Sequence, residues 1–169
     1  MQQGACAAVL GAAALLAGCF TLAADPPHLN PFNDPFLQAT VGRPCPTPLG
    51  PAYTEAELRV EAHSRIERGT TCWLQGLCAE PNAYRYDAAN AIAAVVTLRR
   101  DPALAGSTIW LTAQRRFVYL EGCVADLAQA RRAEALVQAL PDVDRVIPAL
   151  ALPGEKPPYA VAAPANRPR

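Results

Sequence analysis

The distribution of proline is the feature that most restricts how this chain can fold. Eight prolines lie between Asp25 and Pro51, and five more lie between Pro153 and the C-terminus. Proline lacks a backbone N–H and fixes φ, so such density favours extended, polyproline-like chain over helix or sheet. The sequence therefore predicts a Pro-rich tether over 19–52, a disordered Pro/Ala tail over 153–169 and a folded part between them.

An uncharged, largely apolar run precedes the tether, from Ala7 to Gly18. It is shorter than the roughly 20 residues that span a bilayer, and it suits the apolar region of a secretory signal peptide. The run ends in Leu16-Ala17-Gly18-Cys19, which resembles the lipobox of bacterial lipoproteins. The resemblance implies a signal peptide over 1–18 and a mature protein whose first residue, Cys19, carries lipid, palmitate included.

The folded part begins with a helix signal. Thr54 followed three residues later by Glu57 forms a capping box, which predicts a helix from about Glu55 that ends at Gly69. This helix and the compact segment after it form a helical, Cys-containing extension over 53–86.

A second set of elements follows the extension. Apolar spacing predicts helices from Asp87 to just before Asp101 and over 127–140. Alternation predicts a hairpin of strands 108–113 and 117–124 that turns at Arg115-Arg116, and a last strand over 143–152.

This order of helix, strand, strand, helix, strand resembles the BON family, small modules found in envelope proteins and lipoproteins. The resemblance covers 87–152 and rests on the following residues: Asp101-Pro102-Ala103-Leu104, then Val118, Leu120, Gly122 and Val124 as Val-x-Leu-x-Gly-x-Val, then Pro141, Val143, Val146 and Leu150. The family often has glycine at the hairpin, where this chain has Arg116. The resemblance implies contact with phospholipid or with an envelope partner.

The strand pattern agrees with that resemblance. Leu111 and Leu120 fall on one face of the hairpin, which can accept the apolar stripes of the two helices. The predicted fold class is α+β: a two-layer α/β sandwich with a three-stranded mixed sheet and two packed helices, plus an extra N-terminal helix. Gly122, lacking a side chain, is expected to let a helix approach the sheet closely.

The opposite face of the hairpin carries aromatic residues and has two interpretations. Trp110, Phe117 and Tyr119 lie there, and an apolar patch of this kind needs a cover or a partner. The extension can supply a cover through Trp73, Leu74, Leu77, Tyr84 and Tyr86. Otherwise the patch, with Arg115 and Arg116, is a binding surface for lipid or protein, and Arg131-Arg132 could also meet anionic headgroups.

Four cysteines remain beyond the leader and Cys19, an even number in a chain expected in an oxidising compartment. Cys72 and Cys78 can close a short loop, which would leave Cys45 for Cys123. Alternatively Cys123 joins Cys72 or Cys78, and the sequence does not choose between these pairings. The spacing does not suit zinc, so no metal site is predicted.

No nucleophile–base pair, phosphate loop or dinucleotide fingerprint is present, so we expect no enzyme activity and no cofactor. A formal net charge of +0 argues against nucleic-acid binding. The sequence predicts a lipid-anchored, non-catalytic envelope protein that binds phospholipid headgroups or an envelope protein and supports envelope integrity. Because Phe20 rather than Asp follows Cys19, the outer membrane, on its periplasmic side, is the expected location. The alternative is a structural or docking subunit of a secretion or surface-assembly apparatus.

Overall fold

The computed structural model describes residues 27–163. The predicted signal peptide over 1–18 and the lipidation site Cys19 lie outside the described residues. Six strands and three α-helices occur in the described range: β1 His28–Leu29, β2 Phe36–Thr40, β3 Ala52–Tyr53, α1 Glu55–Leu74, α2 Asp87–Arg100, β4 Thr108–Gln114, β5 Phe117–Cys123, α3 Leu127–Gln138 and β6 Arg145–Ala151. Short 3-10 turns precede and follow α2, at Ala83–Tyr86 and Pro102–Leu104.

The predicted hairpin and last strand lie in one sheet, in the order β2-β4-β5-β6. β4 and β5 are antiparallel with Leu111 opposite Leu120, and β6 runs parallel to β5 with Val146 beside Val118. The helix α3 makes the crossover between these two parallel strands. The predicted α+β sandwich is confirmed, and the sheet is mixed as expected.

The sheet has four strands rather than the predicted three, because part of the Pro-rich segment joins it. β2 pairs antiparallel with β4, placing Leu37 opposite Leu111. The prediction of extended, polyproline-like chain rather than sheet is wrong here, because the stretch from Phe36 to Arg43 contains no proline. A proline-free run of that length is enough for an edge strand, where only one side of the ladder must be satisfied.

The core lies between one face of the sheet and the helices α2 and α3. Its fully buried side chains include Leu98 of α2, Leu111 and Leu120 of the hairpin, and Val137 of α3, each 0% exposed. The predicted inward face is therefore correct in register. Burial of these apolar side chains is what holds the two layers together.

Gly122 has a different role from the one expected. Its φ is +141°, and a Cβ at this position would overlap the carbonyl oxygen of Thr108 on the neighbouring strand. The glycine of the Val-x-Leu-x-Gly-x-Val run thus permits close approach of β4, not of a helix. The expectation of a helix contact at Gly122 is corrected accordingly.

Helix α1 begins as predicted and ends later. Thr54 and Glu57 form the capping box, but the helix continues through Gly69 to Leu74. A Cβ on Gly69 would lie 2.9 Å from the side-chain oxygen of Asn82. This glycine therefore allows the loop before α2 to pack against α1, and it does not end the helix.

The C-terminal segment is ordered as far as the structure describes it. Leu49 N–H donates to the carbonyl of Ala160 (2.8 Å), and Ala162 N–H donates to that of Thr47 (2.9 Å). The Tyr159 hydroxyl donates to the carbonyl of Pro46 (2.9 Å). The predicted disordered tail is thus wrong for residues 153–163, because the two Pro-rich segments satisfy each other's backbone groups.

Candidate functional site

The turn between β4 and β5 has an unusual backbone for its residues. Arg115 and Arg116 both have positive φ, +56° and +65°. Two-residue hairpin turns with this conformation normally use Asn or Gly, because a Cβ disfavours it. Arg116 is also the position where the family often has glycine, so this chain must stabilise the turn in another way.

Asp87 provides that stabilisation. It is the first residue of α2 and is 2% exposed. Its two carboxylate oxygens accept the backbone N–H groups of Arg115 (2.7 Å) and Arg116 (2.8 Å). The positive end of the α2 dipole favours the carboxylate at the same place. The contact fixes the hairpin tip to the start of α2.

Burial of Asp87 changes its ionisation. Loss of solvation raises the pKa of this carboxyl from an ordinary 3.8 to about 6, while the two turn amides act in the opposite direction. Burial therefore disfavours the negative charge of Asp87, and the hydrogen bonds from the two turn amides favour it.

The arginine side chains of the turn contact aromatic rings and a backbone carbonyl nearby. The guanidinium of Arg115 lies 4.7 Å from the ring centroid of Phe117. Arg116 Nε donates to the carbonyl of Asp142 (2.9 Å), and its guanidinium lies 5.4 Å from the Tyr86 ring. Within residues 27–163, neither guanidinium has a carboxylate oxygen within 4.0 Å.

A groove of about 340 Å³ separates this turn from the C-terminal half of α1. Its walls carry three arginines, a hydroxyl, an amide and one carboxylate among apolar groups: Arg68, Thr71, Cys72, Gln75, Leu77, Ala83, Arg115, Arg116, Phe117 and Asp144. Arg68 is also paired with Glu61 on its own helix. The convergence of guanidinium, hydroxyl and amide donors suits a phosphate or another small anion.

One side chain, Arg65, positions α1 as the wall of this groove. Its guanidinium is bidentate on Asp34, with Nη1 3.0 Å from Oδ2. It is stacked between the rings of Phe32 (4.3 Å) and Tyr84 (4.0 Å). Gln114 of β4 also donates to Asp34 (2.8 Å), which connects this pair to the sheet.

The aromatic residues of the outer sheet face are half-buried rather than exposed. Trp110, Phe117 and Tyr119 each have intermediate exposure, and burial raises the pKa of Tyr119 and of the neighbouring Glu121. A cavity of about 260 Å³ adjoins this face. It is lined by sheet residues Thr112, Gln114, Tyr119 and Glu121, and by Gly50, Pro51 and Tyr53 from the chain before α1.

The cover over this face differs from the one expected. Trp73, Leu74 and Leu77 were expected to supply it, but they are 48%, 72% and 70% exposed. They lie at and just after the C-terminal end of α1. Gly50 and Pro51 of the Pro-rich segment adjoin this face instead. They are joined there by Tyr53, the first residue of the extension, whose hydroxyl accepts a hydrogen bond from Gln114 (2.8 Å). The rings of Tyr84 and Tyr86 lie against the guanidinium groups of Arg65 (4.0 Å) and Arg116 (5.4 Å).

The cysteines pair in one of the ways left open by the sequence. Cys45 is bonded to Cys123, and Cys72 to Cys78, with Cα–Cα distances of 5.7 and 5.5 Å. The first bond attaches the Pro-rich segment to the outer face of β5. The second closes the loop at the end of α1.

The two arginine pairs considered above do not form one surface. Arg132 is paired with Asp101 (2.7 Å), at the C-terminal end of α2, whereas the turn arginines adjoin its N-terminal end. The sequence reasoning missed Arg68 and the buried partners Asp87 and Asp34. The absence of glycine from the hairpin turn was the signal in the sequence that another side chain must stabilise the turn.

Among the described residues no helix is long and apolar enough to cross a membrane. In the same range no three His, Cys, Asp or Glu side chains converge as a metal ion would require.

The model of the BON domain matches residues 88–154, less than half of the chain. This segment contains α2 except for its first residue, Asp87, together with the hairpin, α3 and β6. The resemblance inferred from the sequence is confirmed for it. The search of curated proteins and the search of solved structures gave no significant match. Helix α1, the Pro-rich segment and most of the C-terminal segment lie outside the matched region.

Proposed function

We propose that this chain is a lipid-anchored, non-catalytic protein of the bacterial envelope that binds the phosphate group of anionic phospholipids. The carrying observation is the groove between α1 and the β4–β5 turn, where Arg68, Arg115 and Arg116 converge. BON domains are generally non-catalytic and associated with envelope phospholipids, which supports the same conclusion. The anchor is Cys19, and the proposed location is the periplasmic side of the outer membrane.

The charge distribution supports attraction of an anion at the groove rather than attraction of the whole molecule to an anionic surface. The chain has a formal net charge of +0, so long-range attraction to an anionic surface is weak. Arg115 and Arg116 are not neutralised by a carboxylate in the described part of the chain, and guanidinium groups bind phosphate oxygens in a bidentate manner. The groove is therefore a small basic site on a neutral molecule.

Asp144 narrows the choice of phosphate. Its presence in the groove lining opposes a doubly charged phosphate monoester more than a singly charged phosphodiester, because repulsion grows with the charge of the ligand. A phosphodiester with an uncharged substituent, as in phosphatidylglycerol, fits this arrangement. The Thr71 hydroxyl and the Gln75 amide lie in the same lining and can bond further oxygens.

Vesicle flotation of the protein lacking residues 1–19 tests this function. Vesicles of phosphatidylglycerol should bind it in a salt-sensitive way, and vesicles of phosphatidylcholine should not. Arg115→Ala with Arg116→Ala should weaken binding roughly thirtyfold, since each basic side chain contributes about 1 kcal/mol at an anionic surface.

The matched control removes the same charge elsewhere. Arg131→Ala with Arg132→Ala on α3 should change binding much less than the turn variant does. Equal losses of binding in the two double variants would show that binding depends only on net charge, and would reject the groove as the binding site. Failure to bind phosphatidylglycerol, together with recovery of a stable protein complex from the envelope, would favour the docking-subunit alternative.

The anchor requires a separate test. Intact-mass measurement of the protein from its native host should give a chain that begins at Cys19 and carries acyl groups. An unmodified thiol at Cys19 would reject lipid anchoring without affecting the groove.

A further inference from the structure

The end of α1 presents apolar side chains to solvent at a site that the BON domain match does not cover. Trp73, Leu74 and Leu77 are 48%, 72% and 70% exposed. We call these three residues the apolar tip. Exposed apolar residues are common singly, but three large ones together at one helix end mark a contact surface.

The tip is free of charge and has a defined shape. No charged residue occurs from Gly69 to Ala79. The Cys72–Cys78 bond closes the loop, and Leu77 N–H donates to the carbonyl of Cys72 (2.8 Å) inside it. Such a closed loop loses little conformational entropy on binding, so its apolar side chains can contribute fully.

We infer that the apolar tip inserts into the interfacial region of a phospholipid bilayer, next to the headgroup held by the arginine groove. The inference rests on the proposed function, and its first support is continuity: Cys72 and Leu77 line the groove that also contains Arg115 and Arg116. Guanidinium groups beside an uncharged apolar loop match the order of a membrane surface, with phosphates outside and acyl chains beneath. Tryptophan is also enriched at this depth of bilayers.

The length of chain before the described residues agrees with this orientation. The chain reaches the fold at the N-terminal end of α1, where His28 bonds Glu55 (2.9 Å). The nine steps from Cys19 to His28 span at most about 32 Å. The 20 residues of α1 rise about 30 Å. An anchor at Cys19 and the tip at the far end of α1 can therefore reach one membrane surface together.

Tryptophan fluorescence of the full chain in vesicles tests the insertion. The chain has two tryptophans, so Trp110→Phe leaves Trp73 as the reporter and Trp73→Phe leaves Trp110. On addition of vesicles, the emission of Trp73 should shift to a shorter wavelength than in their absence. In vesicles with acyl chains brominated near the headgroup, Trp73 should be quenched at least about twice as strongly as Trp110.

Substitutions in the tip sharpen the test. Leu74→Ser with Leu77→Ser should reduce the quenching of Trp73. The matched control, Val60→Ser with Ile92→Ser, changes exposed apolar residues (67% and 62% exposed) away from the tip and should leave it unchanged. Far-ultraviolet circular dichroism checks that each variant keeps its helix.

The outcomes separate this inference from the proposed function. Quenching of Trp73 no stronger than that of Trp110 overturns insertion of the tip, whatever the groove binds. Equal and strong quenching in phosphatidylglycerol and phosphatidylcholine supports insertion of the tip while rejecting the groove as the site that selects anionic lipid. Quenching that is equally reduced by the Val60→Ser/Ile92→Ser control also overturns the inference.

Discussion

The interactions that hold the two layers of the sandwich together differ from those that attach helix α1 to the rest of the fold. Between the sheet and helices α2 and α3, buried side chains such as Leu98, Leu120 and Val137 are apolar and fully enclosed. In α1, Gly69 is the buried residue. The helix is attached mainly through Arg65, whose guanidinium pairs with Asp34 and stacks on the rings of Phe32 and Tyr84. Apolar burial gives the sandwich cooperative stability, whereas a polar attachment depends on one geometry.

The difference matters because the candidate site lies between these two regions. The hairpin turn belongs to the sandwich and is fixed by Asp87, while the opposite wall of the groove belongs to α1. Local opening of α1 would separate Arg68 and the apolar tip from Arg115 without unfolding the core. Binding at the groove should therefore stabilise the attachment of α1.

Truncation of the core should give the largest loss of stability. Leu120→Ala removes a side chain that is 0% exposed and should lower the free energy of unfolding by about 4 kcal/mol. Urea denaturation followed by circular dichroism measures the change. Ile92→Ala, on the exposed side of α2, is the control and should change stability by less than about 0.5 kcal/mol. Similar losses for both would show that the sandwich is not where stability resides.

Removal of the attachment of α1 should have a smaller and more local effect. Arg65→Ala leaves Asp34 buried without its charge partner and should cost about 3 kcal/mol. We expect hydrogen exchange to accelerate across α1 while amides of β4 and β5 stay protected. Arg65→Lys keeps the charge but not the bidentate, stacked geometry, so it should fall between wild type and Arg65→Ala. Uniform acceleration across the whole domain would contradict local attachment.

Opening the loop at the end of α1 should cost less again. Cys72→Ser with Cys78→Ser removes a bond with a sequence separation of 6, worth about 2 kcal/mol through the unfolded chain. Cys45→Ser with Cys123→Ser removes a separation of 78 and serves as the comparison, with an expected loss of about 4 kcal/mol. Thermal unfolding of both variants should rank them in this order, and the reverse order would contradict the chain-entropy explanation.

The pH dependence of stability should give the smallest effect. The pKa of Asp87 is raised to about 6 in the folded chain, above its unfolded value, so the folded state binds this proton more tightly. The contribution of Asp87 should therefore increase stability as pH falls from 7 to 5, by about 1 kcal/mol. Asp87→Asn should remove that part of the profile in urea titrations at several pH values.

A second carboxyl provides the control for this profile. Burial also raises the pKa of Glu121, so wild-type stability should retain some pH dependence in the Asp87→Asn variant, and Glu121→Gln should remove it. If the free energy of unfolding of the wild type decreased as pH fell from 7 to 5, and Asp87→Asn left that profile unchanged, the assignment to Asp87 would be contradicted.

Much of the sandwich could be predicted because its signals are local. The alternation that places Leu111 and Leu120 on one face, and the capping box at Thr54, each depend on a few neighbouring residues. The turn at Arg115-Arg116 was placed correctly for the same reason. In the candidate site, Arg115, Arg116 and Phe117 were identified from this hairpin, but the α1 wall was not.

What the sequence alone determined is the set of elements whose formation requires only a repeating pattern: the hairpin, its buried face, the helices and the segment that matches the BON domain. The tertiary structure decided the rest, including the addition of β2, the pairing of Cys45 with Cys123 and the burial of Asp34 and Asp87. Those features join residues that are distant in the chain. A charge or a cysteine carries no periodicity that names its partner, so only the folded chain selects it.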